Sequence, residues 1–195
     1  MRQRKHERPR YRQRGQFMTP DILAEKIVRN VPLGGCKRVL EPSCGDGAFL
    51  SPLAVRLRDR VRSTASRLLG IEIDPDLAAR CRSRMDLSVG PKRSGVSVDI
   101  CETDFFRAYL LGSVETSLES NVNFHHGSFD LIIGNPPFGG TFDHAIEDIL
   151  DSRLGRRFGR KIKKETYAFF IVACLDLLKT GGREDGWCLS VAPVY

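Results

Sequence analysis

The stretch Asn135-Pro136-Pro137-Phe138 follows an apolar run, Leu131 to Ile133, and Gly134. Each proline removes a backbone donor and fixes φ. Pro136 also holds Asn135 extended. One amide side chain, two proline carbonyls and one aromatic ring are thereby fixed in order. An exocyclic amine on an aromatic ring is a poor nucleophile, because its lone pair is delocalised. The Asn135 side-chain oxygen and the Pro136 carbonyl are two acceptors for its two N–H bonds. Together they favour a tetrahedral nitrogen whose lone pair is free to attack carbon, an interaction stronger in the transition state than before it. Phe138 offers a ring face to hold the amine-bearing ring. Asn135, Pro136 and Phe138 are the candidate catalytic residues. The competing explanation is a plain Pro-Pro turn after a strand.

Three other features fall where strands are predicted to end. In "LEPSCGDGAFL" (Leu40 to Leu50), Gly45 and Gly47 let backbone approach a ligand closely. The spacing is not that of a pyrophosphate loop, and Glu41 and Asp46 would repel phosphate. They suit a positively charged group, an ammonium or a sulfonium. Glu72 ends the next strand, where a carboxylate can accept both hydrogens of a ribose diol. Asp104 beside Phe105 pairs an acceptor with a ring, as an adenine requires. Singly, each acid is as readily a helix N-cap. In this order they describe a site for a cationic adenosine cofactor, and S-adenosyl-L-methionine has the required sulfonium, amino acid, ribose and adenine.

Alternating elements position these residues. Thr19-Pro20 reads as a helix start, followed by the apolar stripe Ile22, Leu23, Ile27 and Val28. Strands are predicted at Lys37 to Pro42, Arg67 to Ile73, Val96 to Ile100, Asp130 to Gly134 and Trp187 to Pro193. Helices are predicted around Phe49 to Val61, over Asp76 to Met85 and over Glu165 to Lys179. Residues 105 to 128 read as a long polar connection. Strands alternating with helices predict an α/β fold: a doubly wound, mostly parallel sheet. In such sheets ligands bind at the carboxyl ends of strands.

The 195 residues suit one domain with a full core. Of the net charge of +7, +6 lies in residues 1–14, so the remainder is nearly neutral. Residues 1–14 read as a basic disordered arm, and 15–195 as the folded domain. A second basic run, "RLGRRFGRKIKK" from Arg153 to Lys164, reads either as a solvated loop or as a phosphate-neutralising one. The six cysteines show no Cys-x-x-Cys spacing, and the four histidines complete no zinc pattern. Reduced thiols without a metal are expected. No apolar run spans a bilayer, and the amino terminus has no secretory signal. The expected location is cytoplasmic, and nucleoid-associated in a bacterium.

On these motifs the chain resembles the adenine-N6 DNA methyltransferases of the gamma motif order. "GQFMTP" looks like their motif X, "VLEPSCGDGAFL" motif I, "GIEIDP" motif II, "ETDFF" motif III, "IIGNPPF" the catalytic motif IV, "YAFFIVACLDLLKTGG" motif V and "LSVAPVY" motif VI. The resemblance runs from Gly15 to Tyr195 and implies the Rossmann-like class I methyltransferase fold. It implies Thr19 against the methionine part of the cofactor, and Glu41, Pro42, Ser43 and Cys44 along methionine and ribose. Glu72 would meet the ribose hydroxyls, Asp104 and Phe105 the adenine, and Pro137 the cofactor. It implies a DNA adenine flipped out of the duplex onto Asn135, Pro136 and Phe138. DNA backbone would pass Arg156, Arg157, Arg160, Lys161, Lys163 and Lys164. Family members continue past motif VI into two more strands, and most carry a target-recognition domain. The resemblance therefore implies a sheet lacking its carboxyl-terminal strands, with recognition supplied by a missing domain or a separate subunit. Two other classes stay open: a methyltransferase for RNA guanine N2 or protein glutamine, and a catalytically silent nucleic-acid-binding module.

Overall fold

The computed structural model describes residues 18–60, 65–89, 95–116, 121–137, 144–159, 165–179 and 188–191. The elements run α1 (Asp21–Asn30), β1 (Arg38–Glu41), α2 (Leu50–Arg60), β2 (Ser66–Glu72), α3 (Pro75–Val89) and β3 (Val96–Glu102). They continue with α4 (Phe105–Leu111), β4 (Ser113–Val114), β5 (Val122–Asn123), β6 (Leu131–Gly134), α5 (His144–Phe158), α6 (Thr166–Leu177) and β7 (Cys188–Val191). Five strands form a parallel sheet in the order β3-β2-β1-β6-β7, and β4 and β5 form a separate antiparallel pair. The chain lays β2 and β3 on one side of β1, then returns to lay β6 and β7 on the other. The order reverses between β1 and β6, so their carboxyl ends open the crevice where doubly wound folds bind ligands.

Two-residue alternation sorts the strand side chains onto two faces. Val39, Leu68, Leu131 and Ile133 pack with Ala24 and Val28 of α1, Leu53 and Leu57 of α2, and Cys81 and Met85 of α3. Leu40, Leu69, Ile71 and Ile132 pack with Phe105 and Tyr109 of α4, Leu150 and Leu154 of α5, and Phe169 and Leu177 of α6. Among the described residues, helices pack on both faces of the sheet, as the sequence predicts.

Three local expectations need correction. Thr19 is not the N-cap of the first helix: Pro20 takes that place, and its carbonyl accepts from the backbone of Leu23 and Ala24. Residues 105 to 128 are not one polar connection. Phe105, Phe106, Ala108 and Tyr109 are buried in α4, which ends at Gly112 in a left-handed conformation (φ 75°) and leads into the β4–β5 pair. The basic run is not simply a loop, because Arg153 to Phe158 form the last turns of α5. The arm over residues 1–14 lies outside the described residues, as do Phe138, Arg160, Lys161, Lys163 and Lys164.

Candidate active site

The turn after β1 is built by close packing onto β2. A Cβ on Gly70 would lie 2.8 Å from Ile100 Cδ1 and 2.9 Å from both Cys44 Sγ and Leu50 Cδ1, so no side chain fits there. The Cys44 backbone N–H donates to the Ile71 carbonyl at 2.8 Å. Gly45 and Gly47 take positive φ (54° and 86°), which L side chains rarely adopt. At Gly47 a Cβ would also meet Cys81 Sγ at 2.9 Å.

Glu72 is 1 % exposed, and both its carboxylate oxygens are fixed by backbone: Gly45 N–H donates to Oε2 and Asp74 N–H to Oε1, each at 2.8 Å. Asp74 in turn caps α3, accepting from the N–H groups of Asp76 and Leu77. The carboxylate at the end of β2 is thus held before any ligand arrives. Glu41, at the end of β1, is also 1 % exposed. Its Oε2 has no hydrogen-bond partner among the described residues. Burial pushes its carboxyl well above the ordinary value, and Cys81, Glu72 and Asp46 push the same way against a backbone hydrogen bond from Leu50. Cys44 is likewise pushed up, by its hydrogen bond with Cys81 and by burial. Burial thus disfavours the charged form of both groups.

Across the crevice, β6 delivers Asn135, Pro136 and Pro137. Ser43 Oγ donates to the Asn135 backbone carbonyl at 2.9 Å, joining the two loops. The cleft between them is lined by Met18, Ser43, Gly45, Glu72, Leu77, Asn135, Pro136 and Pro137. Six of the sequence-predicted residues (Ser43, Gly45, Glu72, Asn135, Pro136 and Pro137) therefore share one cleft. Glu41, Pro42 and Cys44 are buried beneath its wall. Thr19 is half-buried beside Met18, and it is Met18 that reaches the cleft. The Met18 Cε and Sδ lie 3.4 and 3.6 Å from where a Cβ on Gly45 would stand. Sequence reasoning missed Met18 and Leu77. Their signal was adjacency alone, to Thr19 and to Asp74-Pro75.

Asp104 and Phe105 occupy structural positions. Asp104 Oδ1 accepts from the Arg107 N–H at 2.8 Å and caps α4. Phe105 is 5 % exposed, with ring centroids 4.8 Å from Phe170 and 5.4 Å from Phe106. The basic run begins away from the cleft. Arg157 Nε donates to Asp176 Oδ1 at 2.9 Å. Asp176 lies two residues before Leu178, which bridges to Phe129 ahead of β6. Arg157 therefore lies at the amino ends of the strands, opposite Asn135. Arg156 donates to the Ser152 carbonyl of its own helix. Among the described residues no group of three or more His, Cys, Asp or Glu could hold a metal ion. No described helix is long and apolar enough to cross a membrane.

The family model of the Eco57I restriction-modification methylases matches residues 67–184, more than half of the chain and all of β6. The chain belongs to that family. The Type II methyltransferase M.TthHB8I of Thermus thermophilus is 30 % identical over 176 residues, covering 86 % of this chain and 33 % of that protein. The chain spans about a third of the length of the curated relatives it matches. Among solved structures, the modification subunit of a candidate type I restriction enzyme from Vibrio vulnificus YJ016 superposes with a TM-score of 0.62 at 21 % identity, covering 91 % of this chain and 34 % of that one. A candidate class I S-adenosylmethionine-dependent methyltransferase from Listeria monocytogenes gives a TM-score of 0.51 at 17 % identity, over 85 % of this chain and 44 % of that one. The Eco57I-family chain thus has the class I methyltransferase fold.

Proposed function

We propose that this chain forms the catalytic core for transfer of a methyl group from S-adenosyl-L-methionine to the N6 amine of adenine in DNA. One observation carries the reading: a single cleft at the β1–β6 reversal has cofactor-type residues on one wall and amine acceptors on the other. The cofactor wall fits its ligand. Glu72 is oriented in advance by two backbone donors, and Glu41 keeps a buried oxygen without a partner. Ser43, Gly45 and Glu72 would hold the methionine and ribose parts, with Met18 and Thr19 closing over them. Asp104 caps α4 through Oδ1, and its other oxygen would be the acceptor for the adenine amine. When bound, the cofactor supplies an electrophilic methyl group on a sulfonium.

The chain's own residues then act on the target amine. The Asn135 carbonyl already accepts from Ser43, so the acceptors for the amine are the Asn135 side-chain oxygen and the Pro136 carbonyl. These two bonds strengthen as the nitrogen becomes tetrahedral and gains positive charge. The extra proton leaves along one of them to water. Phe138 stacks on the base, which reaches the cleft by flipping out of the duplex. Arg160, Lys161, Lys163 and Lys164 would meet the DNA backbone, whereas Arg157 is committed to Asp176 and Arg156 donates to the Ser152 carbonyl. Target recognition belongs to a further domain or subunit, as the relatives' greater length supports. The test is transfer from isotope-labelled cofactor to a mixture of duplex DNA, single-stranded DNA, RNA and protein, with products identified by mass spectrometry. Labelled N6-methyladenine in DNA is the expected product. A labelled guanine or glutamine would overturn the substrate, and binding of DNA with no transfer would overturn the activity.

A further inference from the structure

We infer that Ser43 is a positioning residue for the amine-accepting loop: its hydroxyl sets the orientation of the Asn135–Pro136 peptide and, through it, the Pro136 carbonyl. This rests on the functional reading above. The argument starts from the β1–β6 ladder. Val39 pairs with Leu131 and Leu40 with Ile132, an offset of 92 residues. Ser43 and Asn135 are 92 residues apart as well. They stand where the ladder would continue, but proline has no N–H. Pro42 on one strand, and Pro136 and Pro137 on the other, remove the donors that would extend it. Past the end of the ladder, Ser43 Oγ donates to the Asn135 carbonyl at 2.9 Å.

That bond has a geometric consequence. The Asn135–Pro136 peptide is planar, so fixing its carbonyl fixes its plane. The pyrrolidine ring then fixes φ of Pro136. A single dihedral, ψ of Pro136, is left to decide where the Pro136 carbonyl points. The same peptide plane anchors the Asn135 side chain at its Cα. Both acceptors of the target amine are therefore referenced to one serine hydroxyl on the cofactor loop. Ser43 also lines the cleft proposed for the cofactor. A residue that only contacted cofactor would affect its binding. A residue that aims the acceptors affects the transfer step.

The test compares wild type with Ser43→Ala and Ser43→Thr in the 195-residue chain. In single turnover with saturating cofactor and DNA, Ser43→Ala is expected to slow methyl transfer roughly tenfold, the scale of one lost hydrogen bond. Because Ser43 also lines the cofactor cleft, cofactor Kd should rise by less than the transfer rate falls, and Ser43→Thr, which keeps the hydroxyl, should restore the rate. A raised Kd with an unchanged transfer rate would overturn the inference. A second readout needs no activity. Asn135-Pro136 is the only Asn–Pro peptide in the sequence. Labelling asparagine carbonyl carbon and proline nitrogen therefore marks one peptide in an NMR spectrum. Its carbonyl resonance should move in Ser43→Ala and return in Ser43→Thr; an unmoved resonance would overturn the positioning role. A wild-type chain that transfers no methyl group to any acceptor would instead overturn the functional reading, and the carbonyl resonance would still decide the role of Ser43.

Discussion

Glu41→Gln should stabilise the fold as pH rises. The carboxyl is 1 % exposed, Oε2 lacks a partner, and Glu72 and Asp46 add like charge. Burial, then Cys81, Glu72 and Asp46, raise its pKa well above the ordinary 4.5. For an acid whose folded pKa is raised, the folded state keeps a proton that the unfolded chain has lost. The stability this contributes is full below about pH 4.5 and is lost as pH rises through the folded value. The slope is about 1.4 kcal/mol per pH unit for one proton. Glutamine cannot titrate, keeps an acceptor for the Leu50 N–H, and puts an NH₂ where the orphaned oxygen stands. Measured by urea unfolding at about pH 5, 6 and 7, the advantage of Glu41→Gln over wild type should grow, by up to about 1.4 kcal/mol per unit. In melting temperature that is roughly 3–6 °C per unit for a chain of this size. An advantage that stays flat across this range would refute the claim that burial raises the Glu41 pKa.

Gly70→Ala should destabilise by about 1–3 kcal/mol and weaken cofactor binding together, since the added Cβ meets Cys44 Sγ at 2.9 Å; calorimetry and thermal melts on one sample check both. Asp130→Asn should cost about 1–3 kcal/mol near pH 7. Burial raises the Asp130 carboxyl, but hydrogen bonds from Lys179, Arg38 and Lys37 outweigh it and leave the group below its ordinary 3.8. Its contribution is present above about pH 4 and is lost as pH falls through the folded value, so the cost measured by urea unfolding should shrink in acid. Arg157→Ala should lose roughly 1–2 kcal/mol of stability, because it strips a partner from Asp176, which also accepts from the Tyr109 hydroxyl at 2.7 Å. The salt dependence of DNA binding should not change; a shallower slope would return Arg157 to the DNA surface.

Apolar runs bounded by turn residues made the five sheet strands legible, because burial on both faces forces continuous Val, Leu and Ile. The acidic strand ends were legible because the crevice lies at the carboxyl ends of strands. Whether each acid faces ligand or interior was not. Glu41 and Glu72 look alike in sequence, yet one is buried beneath the cleft wall and the other lines the cleft. Phe105 next to an acceptor reads as an adenine platform, but the short α4 turns it toward Phe106 and Phe170. That outcome depends on α6, some sixty residues downstream, which local sequence does not contain. The Arg157–Asp176 pair and the Ser43–Asn135 bond are hidden for the same reason. The second becomes readable once β1 and β6 are known to be neighbours, since the prolines mark where the ladder loses its donors.

The most direct test of the central claim separates binding from turnover at Asn135. Cofactor affinity is measured by calorimetry and N6-methyladenine formation by mass spectrometry, for wild type and Asn135→Ala. The account expects cofactor Kd within about threefold and a transfer rate lowered by roughly a hundredfold or more, the scale of removing one transition-state acceptor. An Asn135→Ala chain that forms N6-methyladenine at the wild-type rate would contradict it.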